Sequence, residues 1–205
     1  MDRQGQEDHL IWNELDRNTL VDTPVFALVR SRRRAADGRE ADYYVMEAPD
    51  WANVVALTDD HAGRTCFVMV RQFRHGSMAV SLEFPGGVVD PGEDPTAAII
   101  RELKEETGYV SEKVSYLGSV NPNPALMGNR CHTYLAEGCV HPGGGQDLDE
   151  NEIIDVELVP VEEIVNGRRN GEFDHAMMHV ALEFYLRRNI TARTRRTNPP
   201  EGEGS

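Results

Sequence analysis

Hydrophobic and polar positions change period along this 205-residue chain, and each change predicts an element. VFALVR (residues 25–30) and DYYVMEA (42–48) are rich in β-branched and aromatic residues and flank the basic, turn-like RRRAADGRE, which predicts a hairpin. NVVALT (53–58) and CFVMVRQF (66–73), on either side of DDHAGR, predict a second hairpin. VSYLGSV, RCHTYLAEGC and IIDVELVP read as further strands. Helical spacing takes over between Asp94 and Gly108, in VEEIVNG up to Gly167, and in DHAMMHVALEFYLRRN, where Asp174 suits the N-cap. Strands, one helix, more strands and then helices indicate an α+β fold, without the regular βαβ alternation of a dinucleotide-binding domain. The expected division is an N-terminal extension over 1–48, a main domain over 49–190 and a disordered tail over 191–205.

Charge narrows the partners. The net charge of −14 argues against nonspecific nucleic-acid or anionic-membrane binding, because phosphates need a basic surface. An acidic protein that handles phosphates requires a metal between the two. Cys66, Cys131 and Cys139 are odd in number and form no CxxC, so they read as buried free thiols in a reducing compartment. With no apolar signal core and no run of 18 apolar residues, the expectation is a cytoplasmic protein without a membrane span.

The helix after Asp94 carries the chemistry. Asp94 suits the N-cap, Pro95 the first turn and Gly108 the position after the last turn. Glu102 and Glu106 are i, i+4 neighbours on one face, and Arg101 and Glu105 form a second pair beside them. Like charges so placed repel by a few tenths of a kcal/mol on a bare helix, roughly. A hard divalent cation such as Mg²⁺ or Mn²⁺ turns that repulsion into attraction. A solvated acidic face would explain a charge run, but not the whole pattern. Gly87, Glu93, Arg101, Glu102, Glu105, Glu106 and Gly108 fit G-x5-E-x7-R-E-U-x-E-E-x-G-U, a match expected by chance on the order of once in a million chains this size.

That pattern is the Nudix box, and the sequence resembles the Nudix hydrolase superfamily. The resemblance implies an α/β/α sandwich with a mixed sheet, an N-terminal small sheet and a loop–helix–loop that binds divalent metal. It also implies hydrolysis of a nucleoside diphosphate linked to another moiety. Carried over position by position, Glu102, Glu106 and the backbone carbonyl of Gly86 become metal ligands. Glu105 contributes a ligand or positions Arg101, and Glu93 fixes the loop through the same arginine.

VMVRQFRHGSMAVSLEFPGG looks like the run before the box in ADP-ribose and nucleotide-sugar diphosphatases. It makes Arg71 and Arg74 candidates for a phosphate or terminal ribose and Glu83 a candidate for the base or a metal-bound water, with Gly87 allowing close phosphate approach. Pro124 also suits that branch, but NPNPALMGNRCH departs from its usual proline–glycine run, so Asn129 and its neighbours are candidate readers of a different sugar or base. The acidic loop DLDENEIIDV is similar to an E-x-E loop of the same branch, which makes Glu150 the candidate base and Glu152 a further ligand, or the reverse.

Trp51, Tyr43 and Tyr44 read as packing residues, with base stacking as the alternative. His175 and His179 lack an HExxH context and read as helix-surface or interface residues. The strands before residue 48 are more than the fold needs, and in this branch they pair two subunits, so a homodimer is expected. The leading function is Mg²⁺-dependent hydrolysis of ADP-ribose or a related ADP-sugar. Another nucleotide (GDP-mannose, a dinucleoside polyphosphate or a dinucleotide cofactor) and a non-catalytic nucleotide sensor are the alternatives.

Overall fold

The computed structural model describes residues 7–197. The chain divides into two compact units, one of residues 1–49 with 121–130 and one of 50–120 with 131–205.

In the N-terminal unit, β1 (Trp12–Asp22), β2 (Ala27–Ala35) and β3 (Glu40–Glu47) form an antiparallel sheet in the order β1-β2-β3. The hairpin expected from the pattern is β2–β3, with Arg34 opposite Glu40 next to the turn. β1 was not legible as a strand: ten of its eleven positions are exposed, so burial imposes no alternation on it. It is held by its ladder to β2 and by ion pairs, Arg30 to Asp16 at 3.4 Å and Arg17 to Glu47. Residues 121–130 join this unit through the Met46 amide, which donates to the Leu126 carbonyl at 2.8 Å, and Asn129 Nδ2 donates to the Pro49 carbonyl at 2.9 Å.

The second unit is built on a seven-stranded mixed sheet. Its strands are β4 (Trp51–Asp59), β5 (Thr65–Arg74), β6 (Ala79–Glu83), β7 (Gly86–Val88), β8 (Lys113–Val120), β9 (Cys131–Glu137) and β10 (Ile154–Pro160). The path runs β10-β5-β4-β9-β8, with β6 pairing β5 and β7 pairing β4, and β4–β9 is the parallel pair. Side chains alternate across β4. Ala52, Val54 and Ala56 meet Ala98, Ile99 and Leu103 of helix α1 (Pro95–Thr107) on one face. Val55 faces the other way, into a core with Phe67, Met69, Leu82 and Leu135. That core is closed by Ile164 of α2 (Val161–Val165) and by Met178, Ala181 and Tyr185 of α3 (Ala176–Thr197). Both faces are therefore apolar and covered by helices, the α+β class expected from the pattern and the sandwich implied by the resemblance. Phe67 is fully buried and touches Phe84 and Tyr185 edge-on; such a side chain contributes about 2–3 kcal/mol through burial.

Two boundaries differ from expectation. α3 starts at Ala176, because the His175 carbonyl, not that of Asp174, accepts from the Met178 amide at 2.9 Å. The same helix runs to Thr197, through residues expected to begin a disordered tail; 198–205 lie outside the described residues. Among the described residues no helix is long and apolar enough to cross a membrane.

Candidate active site

Local sequence sets α1 where the chemistry requires it. The Asp94 carboxylate caps the first turn, accepting from Thr96 N and Ala97 N, with Pro95 as the first helical residue. The helix stops at Gly108, whose φ of 72° is left-handed and suits glycine. Inside the helix, Ala98, Ile99 and Leu103 anchor the apolar face, which fixes the rotation of Glu102 and Glu106 against the sheet.

Glu106 reaches β7. Its Oε2 accepts from the Gly86 amide at 2.8 Å, and the residue is only 3% exposed. Burial pushes its carboxyl pKa up to about 8; the Glu102 and Glu152 charges add to the rise, while the Gly86 hydrogen bond and Arg74 oppose it. Burial also raises Glu102, against the pull of Arg101. Glu102 lies over Gly87, where a Cβ would stand 2.5 Å from Glu102 Oε1; only glycine leaves room for the carboxylate.

Arg101 ties the acidic group together. It donates to Glu93 at 3.1–3.2 Å, and to Glu102 and Glu105 at 2.9 Å each. Its pKa is raised, first by the Glu93 hydrogen bond, so it stays charged. Glu93 in turn accepts from the Asp90 amide, which locks the loop before the helix. Glu105 spends its side chain on Arg101, and its carbonyl accepts from Asp147 N at 2.9 Å, tethering the acidic loop.

A cleft of about 1050 Å³ opens beside Gly86 and Gly87. Its walls include Trp51, Asn53, Arg74, Glu83, Cys131, Glu152 and His175. Glu83 is fully buried and bound by Arg74 through two bonds of 2.8 and 2.6 Å. Burial would raise its pKa, but the guanidinium reverses the sign and holds it below the usual value. The Arg74–Glu83 pair therefore lines the cleft as a unit.

Not every candidate reaches the cleft. Arg71 is held by Glu157 at 2.6 Å and by Glu172, and it is not one of the residues lining the cleft. On the acidic loop Glu152 lines the cleft and Glu150 does not, although the pattern points first to Glu150 as base. Asn129 belongs to the N-terminal unit. His175, read from the sequence as a surface or interface residue, lies on the cleft wall. Its Nδ1 is buried without a hydrogen-bond partner, and burial lowers its pKa. A histidine just ahead of a helix carried no pattern of its own, so only the fold reveals this. Asn53 is also on the wall and buried, with Oδ1 unpartnered; inside a strand pattern it gave no signal.

The donors suit a hard divalent cation. Glu102, Glu106 and Glu152 repel one another, and Glu106 has no salt bridge among the described residues. Among the described residues no three His, Cys, Asp or Glu side chains converge tightly enough to hold an ion alone. A divalent cation held there would complete its shell with backbone carbonyl, water or substrate phosphate.

This loop–helix arrangement on a mixed sheet defines a Nudix site. Residues 49–180 match the NUDIX domain, and the chain belongs to that family, a class of hydrolases that generally use divalent metals. It shares 31% identity over 148 residues with the methanol dehydrogenase activator of Bacillus methanolicus, covering 72% of this chain and 78% of that protein. With the ADP-ribose pyrophosphatase of Bacillus subtilis it shares 28% over 148 residues, with the same coverage of 72% and 78%. The mouse (Mus musculus) ADP-sugar pyrophosphatase is 35% identical over 89 residues, 43% of this chain and 40% of that one. A crystal structure of an ADP compounds hydrolase superposes with a TM-score of 0.75 at 22% identity, covering 90% of this chain and 96% of that one, which establishes the fold.

Proposed function

We propose that the protein hydrolyses the pyrophosphate of a nucleoside diphosphate sugar, ADP-ribose or a related ADP-sugar, to a nucleoside monophosphate and a sugar phosphate. The observation that carries this reading is the buried Glu106 carboxylate fixed to the Gly86 amide beside a cleft large enough for such a substrate. The B. subtilis and mouse relatives, by their names, act on the same class.

Glu102, Glu106 and the Gly86 carbonyl are the groups that would hold Mg²⁺, with Mn²⁺ as a substitute. When bound, the cation neutralises pyrophosphate charge that this acidic wall would otherwise repel. The chain's own residues do the rest. Arg101 keeps Glu102 and Glu105 in place through its hydrogen bonds. Gly87 lets a phosphate approach the backbone closely. Water adds to one phosphorus, the bridging P–O bond breaks, and the second phosphate leaves with the bond's electron pair. The water's proton passes to a loop carboxylate. We assign that role to Glu152, the loop glutamate on the cleft wall. The paired Arg74 and Glu83 present their remaining hydrogen-bonding atoms to the cleft.

Residues 1–48 serve as a dimerisation element in this reading, supported by the exposed Leu15, Leu20 and Tyr44 of the N-terminal unit. Three buried free cysteines support a reducing, cytoplasmic setting, and the charge of −14 supports a small-molecule substrate over nucleic acid.

The test is Mg²⁺-dependent release of AMP from ADP-ribose, ADP-sugars and other nucleotide sugars, with Glu106→Gln as control. Turnover of an ADP-sugar that is lost in the variant supports the proposal. Metal-dependent binding without turnover of any compound would replace it with a sensor.

A further inference from the structure

One wall of the cleft has no part in the hydrolytic chemistry. Trp51 and Asn53 lie two residues apart on β4, so their side chains leave the same face of the strand about 7 Å apart, and both line the cleft. β7 borders them on one side, with Val88 opposite Trp51 and Gly86 opposite Asn53. β9 borders them on the other, with Cys131 and Thr133 in register. Gly86 lets β7 lie close against them: a Cβ there would stand 2.7 Å from Asn53 Cα and closer still to the Ala52 carbonyl oxygen.

Asn53 is 3% exposed, and its Oδ1 has no hydrogen-bond partner. Its Nδ2 has only the Cys131 sulfur, at 3.5 Å. Thiols are weak acceptors, so this amide is nearly unsatisfied. Buried amides are almost always paired, because leaving one unpaired costs stability. Two carboxylates of the cleft lining are already engaged, Glu83 with Arg74 and Glu172 with Arg71 and Arg169. Trp51 is half-buried, and among the described residues no ring stacks on it. A flat apolar face thus stands beside a neutral amide that lacks a partner, a short way from the phosphate-binding backbone.

We infer that Trp51 and Asn53 form the specificity subsite for a ring of the substrate. The indole stacks on the ring, and the Asn53 amide accepts from one neutral N–H or O–H on it. A nucleobase amine and a sugar hydroxyl share that chemistry. The inference rests on the cleft holding the nucleoside diphosphate sugar and adds which residues select it.

The experiment uses the full chain with saturating Mg²⁺ and three substrates: ADP-ribose, inosine-diphosphate-ribose, in which a carbonyl replaces the base amine, and ADP-glucose. Asn53→Leu keeps the shape but removes the hydrogen bond; Trp51→Ala removes the stack and Trp51→Phe keeps it. Thermal melts check that each variant folds. Asn53→Leu is expected to raise KM for the preferred substrate by about 10-fold or more, leave kcat within about threefold, and level the preference. Loss of the adenine-over-hypoxanthine preference identifies the base as the ring read, and loss of the ribose-over-glucose preference identifies the sugar. Trp51→Ala follows Asn53→Leu, and Trp51→Phe stays near wild type. Unchanged KM and preference in both variants, or an equal kcat loss on all three substrates, overturns the inference. If the wild type turns over none of them, the hydrolase reading fails separately. Fluorescence quenching of Trp51 by ADP-ribose in a Trp12→Phe background then decides the subsite: quenching that Asn53→Leu weakens supports it, and absence of quenching overturns it.

Discussion

The Glu106 carboxylate accepts a hydrogen bond from the Gly86 amide at 2.8 Å, joining α1 to β7 through a side chain that is only 3% exposed. A buried acid in such a place destabilises the fold when ionised, and the surrounding carboxylates add to that penalty. In the proposed mechanism that acidic oxygen would hold the cation, whose charge would offset the penalty.

Glu106→Gln should separate stability from activity. The folded pKa of about 8 lies above the usual 4.5, so the folded state holds its proton more tightly than the unfolded chain. Without metal, this group's penalty is absent below about pH 4.5, grows between pH 4.5 and 8 and levels off above that at about 5 kcal/mol. Gln removes the penalty. Chelator-treated Glu106→Gln should melt higher than wild type at pH 8 and about equally at pH 4, while turnover falls at least about 100-fold. Equal melting temperatures at both pH values would contradict the assignment.

Gly87→Ala tests the close approach of loop and helix. Its Cβ would sit 2.5 Å from Glu102 Oε1, so the carboxylate must swing away. kcat/KM should fall about 10- to 100-fold, and the Mg²⁺ concentration for half-maximal rate should rise. Wild-type metal dependence in steady-state assays would show that Glu102 does not hold the cation.

The acidic loop offers two glutamates, of which one lines the cleft. Glu152→Gln should lower kcat by roughly 10²–10⁴-fold, the range for a general base. Glu150→Gln should stay within about threefold. The reverse order in rate measurements would return the role to Glu150.

On the cleft wall, Glu172 is held by Arg169 and Arg71, and its pKa is lowered to about 2. The folded form thus loses its proton more readily than the unfolded one. Its stabilising contribution is present above about pH 4.5 and disappears as pH falls through 2. The side chain is 42% exposed, so screening keeps the effect within about 1 kcal/mol. Glu172→Gln should lower the melting temperature by a few degrees at pH 7 and make no difference near pH 2. A pH-independent difference in circular-dichroism melts would rule this out.

The thiols should be silent in the native protein. Cys131 and Cys139 are buried, with pKa pushed up to about 11, and Cys66 is raised by burial as well. A thiol-specific reagent at pH 8 should label none within minutes and all three after denaturation. Rapid native labelling would show a cysteine more open than its burial implies.

Helix α1, its caps and the order of its carboxylates were legible in the sequence because each is set locally. Asp94, Pro95 and Gly108 act within one turn, and i, i+4 spacing puts Glu102 and Glu106 on one face whatever surrounds them. The central strands were legible too, since burial on both faces demands continuous apolar runs such as Val54–Ala56 and Phe67–Val70.

Only the tertiary structure decided the rest. β1 is exposed on both faces, and β7 is three residues long, so neither carries a periodic signal. Arg71 and Arg74 look alike in RQFR, but Arg71 is paired with Glu157 and Glu172 and does not itself line the cleft, whereas Arg74 is paired with buried Glu83 on the cleft wall. Glu150 and Glu152 are separated by the path of a loop, and Asn53 and His175 acquire meaning only when β4 and the start of α3 line one cleft. Spacing along the chain determines what a single helix presents. Which partner a long side chain reaches, and which polar atom is left without one, depends on segments distant in sequence being packed together.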